Sequence, residues 1–314
     1  MPGVLCVGHA VQDFVFTVQE LPSRPAKHRA TRFESVGGGP AATAAVAVAR
    51  LGGRALLAAR VGDDVAAGMI VDELRGHGVD CSRVQRCRGC ASSVSAVIVD
   101  AAGERLIVNY MDPALPDDPH WLPSPRDVGV DAVLADTRWP EGAAAALAAA
   151  RLAGLPAVLD ADRPVPPDGA LLREASHVAF SADALADYTG VADPAQALER
   201  VARELPGWCC VTAGGEGVYV IEGDRPRRVP AFEVRAVDTL GAGDVWHGAF
   251  ALALAEGRDE AMAVRFASAA AALKVQRTGG RGGAPTRAEV DGFLAAQGVS
   301  PQYAGRPVQA GPGG

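Results

Sequence analysis

A chain of 314 residues with 49% hydrophobic content can bury one large core, and its formal net charge of −7 leaves no basic surface for nucleic acid or an anionic membrane. Val4 to Val7 is too short for a secretory leader, and the most apolar stretch, Gly142 to Leu159, is interrupted by Arg151 and Pro156. A cytoplasmic protein without a membrane span is expected.

In chain order, short apolar runs alternate with alanine-rich helical stretches. Val4 to Val7, Ala55 to Ala59, Ala132 to Ala135, Ala157 to Leu159, Val178 to Phe180 and Cys209 to Thr212 read as buried strands. Val65 to Arg75, Gly142 to Leu152 and Ala195 to Glu204 read as helices between them, the rhythm of a parallel sheet in an α/β protein. Asp13 to Val18 with His28 to Ser35, and Ser92 to Asp100 with Arg105 to Asn109, break that rhythm and predict strand pairs joined by polar turns. Thr286 and Glu289 form a capping box for a last helix. One domain is therefore expected over residues 1–298, followed by a glycine- and proline-rich tail, 299–314, of disordered composition. Among the six cysteines, Cys6, Cys209 and Cys210 lie in apolar runs and predict core positions. Cys81, Cys87 and Cys90 lack a further ligand pair for zinc and are expected as surface-loop thiols.

Two glycine clusters carry chemistry. In Asp238-Thr239-Leu240-Gly241-Ala242-Gly243-Asp244 a carboxylate stands just inside a helix that opens on glycines, and the apolar run Val245 to Leu254 continues that helix. The backbone N–H groups of Gly241, Ala242 and Gly243 can converge on one anion at the positive end of the helix dipole. An acid beside an anion cradle suits phosphoryl transfer: Asp244 takes the proton of an attacking hydroxyl while the N–H groups hold the charge on the phosphoryl oxygens. The second cluster, Val36-Gly37-Gly38-Gly39-Pro40-Ala41-Ala42-Thr43, runs into a small-residue helix with proline in its first turn, and its glycines allow close backbone approach to a ligand. No Gly-x-Gly-x-x-Gly follows the first strand, which argues against a Rossmann dehydrogenase.

Together the clusters resemble the two signature regions of the PfkB, or ribokinase-like, family of carbohydrate kinases, from Val4 to about Leu294. That resemblance implies a three-layer α/β/α core with a small β-sheet lid, formed by strands within 11–35 and 91–112, which closes over the sugar and often makes a homodimer contact. It implies ATP, Asp13, Gly38 and Gly39 on sugar hydroxyls, and a nucleotide turn at Thr212-Ala213-Gly214-Gly215-Glu216-Gly217, with Thr212, Gly214 and Gly217 in the family's places; Mg²⁺ is expected chiefly from the chemistry of phosphoryl transfer. Where many members carry Asn-x-x-Glu, this chain has Ser181-Ala182-Asp183-Ala184, which leaves the metal ligands open, and Thr43 replaces an asparagine common in ribokinases and ketohexokinases.

Within the family, the run Glu34 to Ala45, Val61 to Asp64, Ile107 to Tyr110, Leu134 to Trp139 and Arg277 to Gly283 are similar to the kinases of 6-deoxy-6-sulfofructose. The resemblance then implies that Arg138, Asn109 and Lys27 meet a sulfonate, whose three acceptor oxygens suit a guanidinium fork and further donors. The expected reaction is ATP-dependent phosphorylation of the 1-hydroxyl of sulfofructose, giving sulfofructose 1-phosphate. Another ketose or ketose phosphate, such as fructose or tagatose 6-phosphate, is the alternative substrate. A catalytically silent sugar-binding regulator is the alternative of another class.

Overall fold

The computed structural model describes residues 1–163, 165 and 169–298, so the expected disordered tail lies outside the described residues. In chain order the elements are β1 (Gly3–Gly8), β2 (Val11–Thr17), β3 (Arg32–Gly38), α1 (Pro40–Arg50), β4 (Arg54–Val61), α2 (Val65–Gly76), β5 (Asp80–Arg86), β6 (Val94–Val99), β7 (Arg105–Tyr110), β8 (Ala132–Asp136), α3 (Pro140–Leu152), β9 (Ala157–Ala161), α4 (Ala170–Glu174), β10 (His177–Ser181), α5 (Ala182–Thr189), α6 (Pro194–Ala202), β11 (Trp208–Thr212), β12 (Val218–Glu222), β13 (Arg225–Val229), α7 (Ala242–Ala255), α8 (Glu260–Lys274) and α9 (Arg287–Ala296).

The main sheet has nine strands in the order β13-β12-β11-β10-β9-β8-β1-β4-β5. All pairings from β11 to β5 are parallel, and β12 and β13 close one edge antiparallel. Every residue of β1, β8 and β9 is buried, because helices cover both faces of a parallel sheet and leave no solvent side for polar residues. One face packs on α1, α2, α7, α8 and α9, the other on α3, α4, α5 and α6, giving the three-layer architecture. Helix α7 is buried continuously from Val245 to Leu254, sandwiched between α1 and α8. A Cβ on Gly248 would lie 2.5 Å from the Ala44 carbonyl oxygen, so only glycine lets the two helices approach this closely.

The second sheet, β3-β2-β6-β7, joins two antiparallel pairs through a parallel contact between β2 and β6. Its strand pairs are those the sequence predicts, except that β3 begins at Arg32 and residues 28–31 are irregular. Cys81 lies within β5 and is buried, as is Cys87, so the expectation of surface-loop thiols fails for both, and only Cys90 is partly exposed. The reason is the unforeseen β5, which pairs with β4 and turns its cysteine inward. Among the described residues no helix is long and apolar enough to cross a membrane.

Candidate active site

All seven parallel strands aim their carboxyl ends at one edge, where open α/β sheets bind ligands. The small sheet stands over this edge because β2 follows β1 directly and β3 leads straight into α1. Asp136, at the end of β8 and 1% exposed, organises the approach. Its Oδ2 accepts the N–H of His9 at 2.8 Å and of Ala41 in the first turn of α1 at 3.0 Å, while Oδ1 accepts the Arg138 N–H at 2.8 Å. A Cβ on Gly8 would fall 2.3 Å from that carboxylate, so the turn after β1 must be glycine.

The two glycine clusters meet. Gly241 caps α7 with φ 72°, a left-handed conformation, and its Cβ position lies 3.3 Å from Thr43 Cγ2 and 3.8 Å from Asp244 Oδ2. A Cβ on Gly243 would meet nothing within 4 Å, which leaves the helix mouth open to an incoming group. The three-donor cradle expected from sequence needs one correction: the Ala242 N–H is turned onto the Thr239 carbonyl at 3.2 Å, because the turn entering α7 closes on itself there. Asp244 is partly buried, and its pKa is pushed up to about 7, first by burial and then by the nearby Asp160 and Asp162 carboxylates, against the opposing His247 and Arg138. His247, one turn further along α7, is 2% exposed with Nδ1 3.2 Å from Asp160 Oδ2. It is a packed residue, as its place in an apolar helix suggests.

On the lid side, Asp13 sits third in β2 and is 8% exposed. Its Oδ2 would lie 2.2 Å from a Cβ on Gly38, so carboxylate and glycine turn are in direct contact. Burial raises the Asp13 pKa, opposed by a hydrogen bond with Ser95 and by the charge of Arg281. Ser95 Oγ also accepts from Asn109 Nδ2 at 3.1 Å, so Asp13, Ser95 and Asn109 form one row across β2, β6 and β7. Gly39 holds φ 92°, with its Cβ position 2.4 Å from the His9 carbonyl oxygen.

Arg138 follows β8 as expected, but its guanidinium is committed: Nη1 and Nη2 both bind the Asp162 carboxylate, the latter at 2.5 Å. Lys27 is not brought to the others. It is exposed and shares a hollow with Phe16 and Ile98, which alternate with the Asp13 row and therefore face the opposite side of the lid. The turn between β11 and β12 contains Gly214 with φ 51° and Gly217 with φ 108°. Thr212 Oγ1 donates to the Phe180 carbonyl at 3.2 Å, and the Cβ positions of Gly214 and Gly215 face open space. Gly217 has a packing reason of its own, since a Cβ there would strike the Val229 carbonyl oxygen at 2.1 Å.

Ser181, in place of the family's asparagine, caps α5: its Oγ accepts the Ala184 N–H at 3.2 Å and donates to the Asp162 carbonyl at 3.3 Å. Among the described residues no group of three or more His, Cys, Asp or Glu is placed to hold a metal ion. Sequence reasoning assigned no role to Asp136, Asp160, Asp162, Ser95 or Arg281. Arg281 is 1% exposed behind the Gly37–Gly39 turn, paired with Glu73 at 3.0 Å and donating to the Gly38 carbonyl at 3.2 Å.

A three-layer core with a second, small sheet above the carboxyl edge is the ribokinase-like α/β fold. The chain belongs to the pfkB family of carbohydrate kinases, whose description matches residues 1–287, and it is an ATP-dependent sugar kinase. It is 29% identical over 297 residues to a ribokinase of Bacillus subtilis strain 168, covering 94% of this chain and 100% of that one. To fructokinase-1 of Zea mays it is 28% identical, over 91% of this chain and 96% of the relative. A solved candidate ribokinase from Agrobacterium tumefaciens superposes with a TM-score of 0.89 at 40% identity, covering 95% of this chain and 99% of its own. Arabidopsis thaliana ribokinase, solved with ribose and ATP, superposes at 0.81 with 26% identity over 93% and 98% of the two chains.

Proposed function

We propose that this kinase phosphorylates a ketose at its 1-hydroxyl, and that the ketose is 6-deoxy-6-sulfofructose. The observation that carries the catalytic part is the placement of Asp244, poised near neutrality on the first turn of α7 beside the open Gly243 position. As a carboxylate it accepts the hydroxyl proton as the new O–P bond forms and the bond from that phosphorus to the β,γ-bridging oxygen breaks, ADP leaving with the electron pair, and the α7 N-terminus with the Gly241 and Gly243 N–H groups receives the negative phosphoryl oxygens. Asp13, braced by Ser95 and pressed against Gly38, holds sugar hydroxyls, with Gly39, whose missing Cβ lets the turn close on the His9 carbonyl, beside it.

The turn from Thr212 to Gly217 holds the nucleotide phosphates, at the end of β11 on the same sheet edge. ATP supplies the phosphoryl group and Mg²⁺ neutralises its charge. The protein offers no three-carboxylate cage among its described residues, which suits an ion that arrives on the phosphates and keeps most of its waters.

For the sugar, the sulfosugar reading is supported by Asn109 in the Asp13 row and by the place of Arg138 just past the carboxyl end of β8. A second reading, a neutral sugar such as fructose or ribose, is favoured by the pairing of Arg138 with Asp162 and by the ribokinase and fructokinase names of the relatives. A panel of sulfofructose, fructose, tagatose 6-phosphate and ribose, assayed with ATP by ADP release, separates these readings. Sulfofructose should give the highest kcat/KM, and a preference for ribose or fructose would overturn the sulfosugar assignment.

A homodimer through the lid is part of the proposal. Phe33, Leu106, Val108 and Tyr110 share one lid face and are 55%, 44%, 63% and 48% exposed, an apolar surface suited to a second copy. A cytoplasmic location accords with six free cysteines and with the need for ATP.

A further inference from the structure

Lys274 ends α8 with no exposed surface, although a lysine is almost never fully buried unless its charge is met. Its ammonium has three N–H groups and three acceptors: the Asp238 carbonyl at 3.1 Å, Asp238 Oδ2 at 3.4 Å and the Arg277 carbonyl at 3.4 Å. Two of the three are main-chain carbonyls from separate loops. One loop leads directly into Gly241, Ala242 and Gly243, and the other runs on to Arg281 beneath Gly38.

The first loop is stapled around this charge. Val237 and Asp238 donate their N–H groups to the Val275 carbonyl at 2.7 and 3.0 Å, and Asp238 Oδ1 accepts from the Leu240 N–H and from Arg105 of β7, each at 2.9 Å. Removing the ammonium would leave the carbonyls of Asp238 and Arg277 facing each other across a dry space, with Asp238 short of a cation. The turn could then keep its form only by taking up another small cation.

We infer that Lys274 is a positioning residue whose ammonium serves as a resident monovalent cation, fixing the turn that carries the Gly241–Gly243 cradle so that no potassium or ammonium ion is needed there. The inference rests on the reading of that cradle as the phosphoryl-binding site. A positive charge between carbonyls is supplied by the chain itself, at a position that touches neither sugar nor phosphate and acts only through the loop.

The test uses the full chain in two arms. In the first, potassium and ammonium salts are replaced by tetramethylammonium at constant ionic strength, and wild-type kcat should hold within about 2-fold. Lys274→Ala, which leaves room for a cation, should lose kcat on the order of 10²-fold, the cost of a misplaced cradle donor, with KM for the sugar nearly unchanged. Methylammonium or potassium should restore much of that loss. Lys274→Met, which fills the space with a neutral chain, should lose activity without rescue.

In the second arm, amide exchange at Leu240 and Ala242, whose N–H groups are bonded within the turn, is followed without substrates. Protection should be indifferent to the cation in wild type, lost in Lys274→Ala and regained with methylammonium. A wild type that loses tenfold or more without potassium overturns the inference, as does a variant that melts lower but keeps its kcat. If neither variant folds, the wild-type cation exchange still decides. An ordered, cation-indifferent loop in a protein that phosphorylates no sugar would instead overturn the phosphoryl-binding reading of the cradle and leave the Lys274 contact standing.

Discussion

Asp244 fixes a pH profile. With its pKa pushed up to about 7, the carboxylate is about half protonated at neutrality and only about one-tenth ionised at pH 6. The log of kcat/KM for the sugar, which reports the free enzyme's groups, should therefore climb with a slope near one below pH 7 and flatten above about pH 8. The causes of the shift make this more than a curve fit. Asp162 raises the Asp244 pKa and Arg138 lowers it, and the two are paired to each other. Replacing Asp162 with asparagine removes the repelling charge and also releases the Arg138 charge from its partner. Both changes favour the ionised Asp244, so the limb in Asp162→Asn should move to lower pH, by roughly half to one pH unit for a like charge lost at this range. A titration of the nucleotide phosphates would not respond to that substitution. The assay is stopped-flow ADP release from pH 5.5 to 9 on both proteins. A flat profile, or a limb that stays in place in Asp162→Asn, would refute the assignment of Asp244 as the base.

Asp244→Asn should lower kcat by about 10²- to 10⁴-fold with sugar binding retained by calorimetry, and near wild-type turnover would exclude the assignment. The same variant should be more stable than wild type at pH 8. A folded-state pKa raised from 3.8 to about 7 means that ionising Asp244 opposes folding as pH rises through that span. At about 1.4 kcal/mol per pH unit the gain is at most about 4 kcal/mol, less for the solvent-facing part of the carboxylate, and it should vanish below about pH 4; an equal Tm at pH 8 would mean that Asp244 ionises as freely in the fold as in the unfolded chain. Arg138→Ala should reduce kcat/KM for sulfofructose by roughly 30-fold to several thousand-fold, the cost of truncating one partner of a desolvated charge pair, and for fructose far less. An equal loss on both sugars would leave only the neutral-sugar reading. Gly38→Ala places a methyl group 2.2 Å from Asp13 Oδ2, so Asp13 must move, and overpacking of about 1–3 kcal/mol should appear chiefly as a raised sugar KM; an unchanged KM would remove Asp13 from the sugar site.

The parallel strands were legible because burial on both faces forces continuous apolar runs, as in Val4 to Val7 and Ala132 to Ala135. The strands of the other kind escaped. β5 reads Asp-Cys-Ser-Arg-Val-Gln-Arg and β13 Arg-Pro-Arg-Arg-Val because each lies at a sheet edge with one side wet, so neither carries the apolar signature. α5 was hidden in the departure from the family pattern, where Ser181 turned out to be its cap. Helix α7 and both glycine clusters were local and therefore readable. Asp136 with Ala41, Arg281 with Glu73 and Lys274 with Asp238 were not, since they are 95, 208 and 36 residues apart and only the fold makes them neighbours. Lys27 shows the opposite failure: a plausible residue type in the right loop, on the wrong face of the lid.

The close approach of Gly248 to Ala44 sets a limit on how this enzyme can move or be re-engineered. With backbone against backbone, α1 and α7 have no side-chain layer in which to slide. The sugar-side turn at the head of α1 and the acid at the head of α7 are thus parts of one rigid jaw. Any closure over a sugar is then left to the four-stranded sheet, which is joined to the core where β1 passes into β2 and β3 into α1. For anyone seeking to change the accepted sugar, the tolerant ground is the Asp13 row of that sheet, while the spacing between the heads of α1 and α7 is cast in glycine.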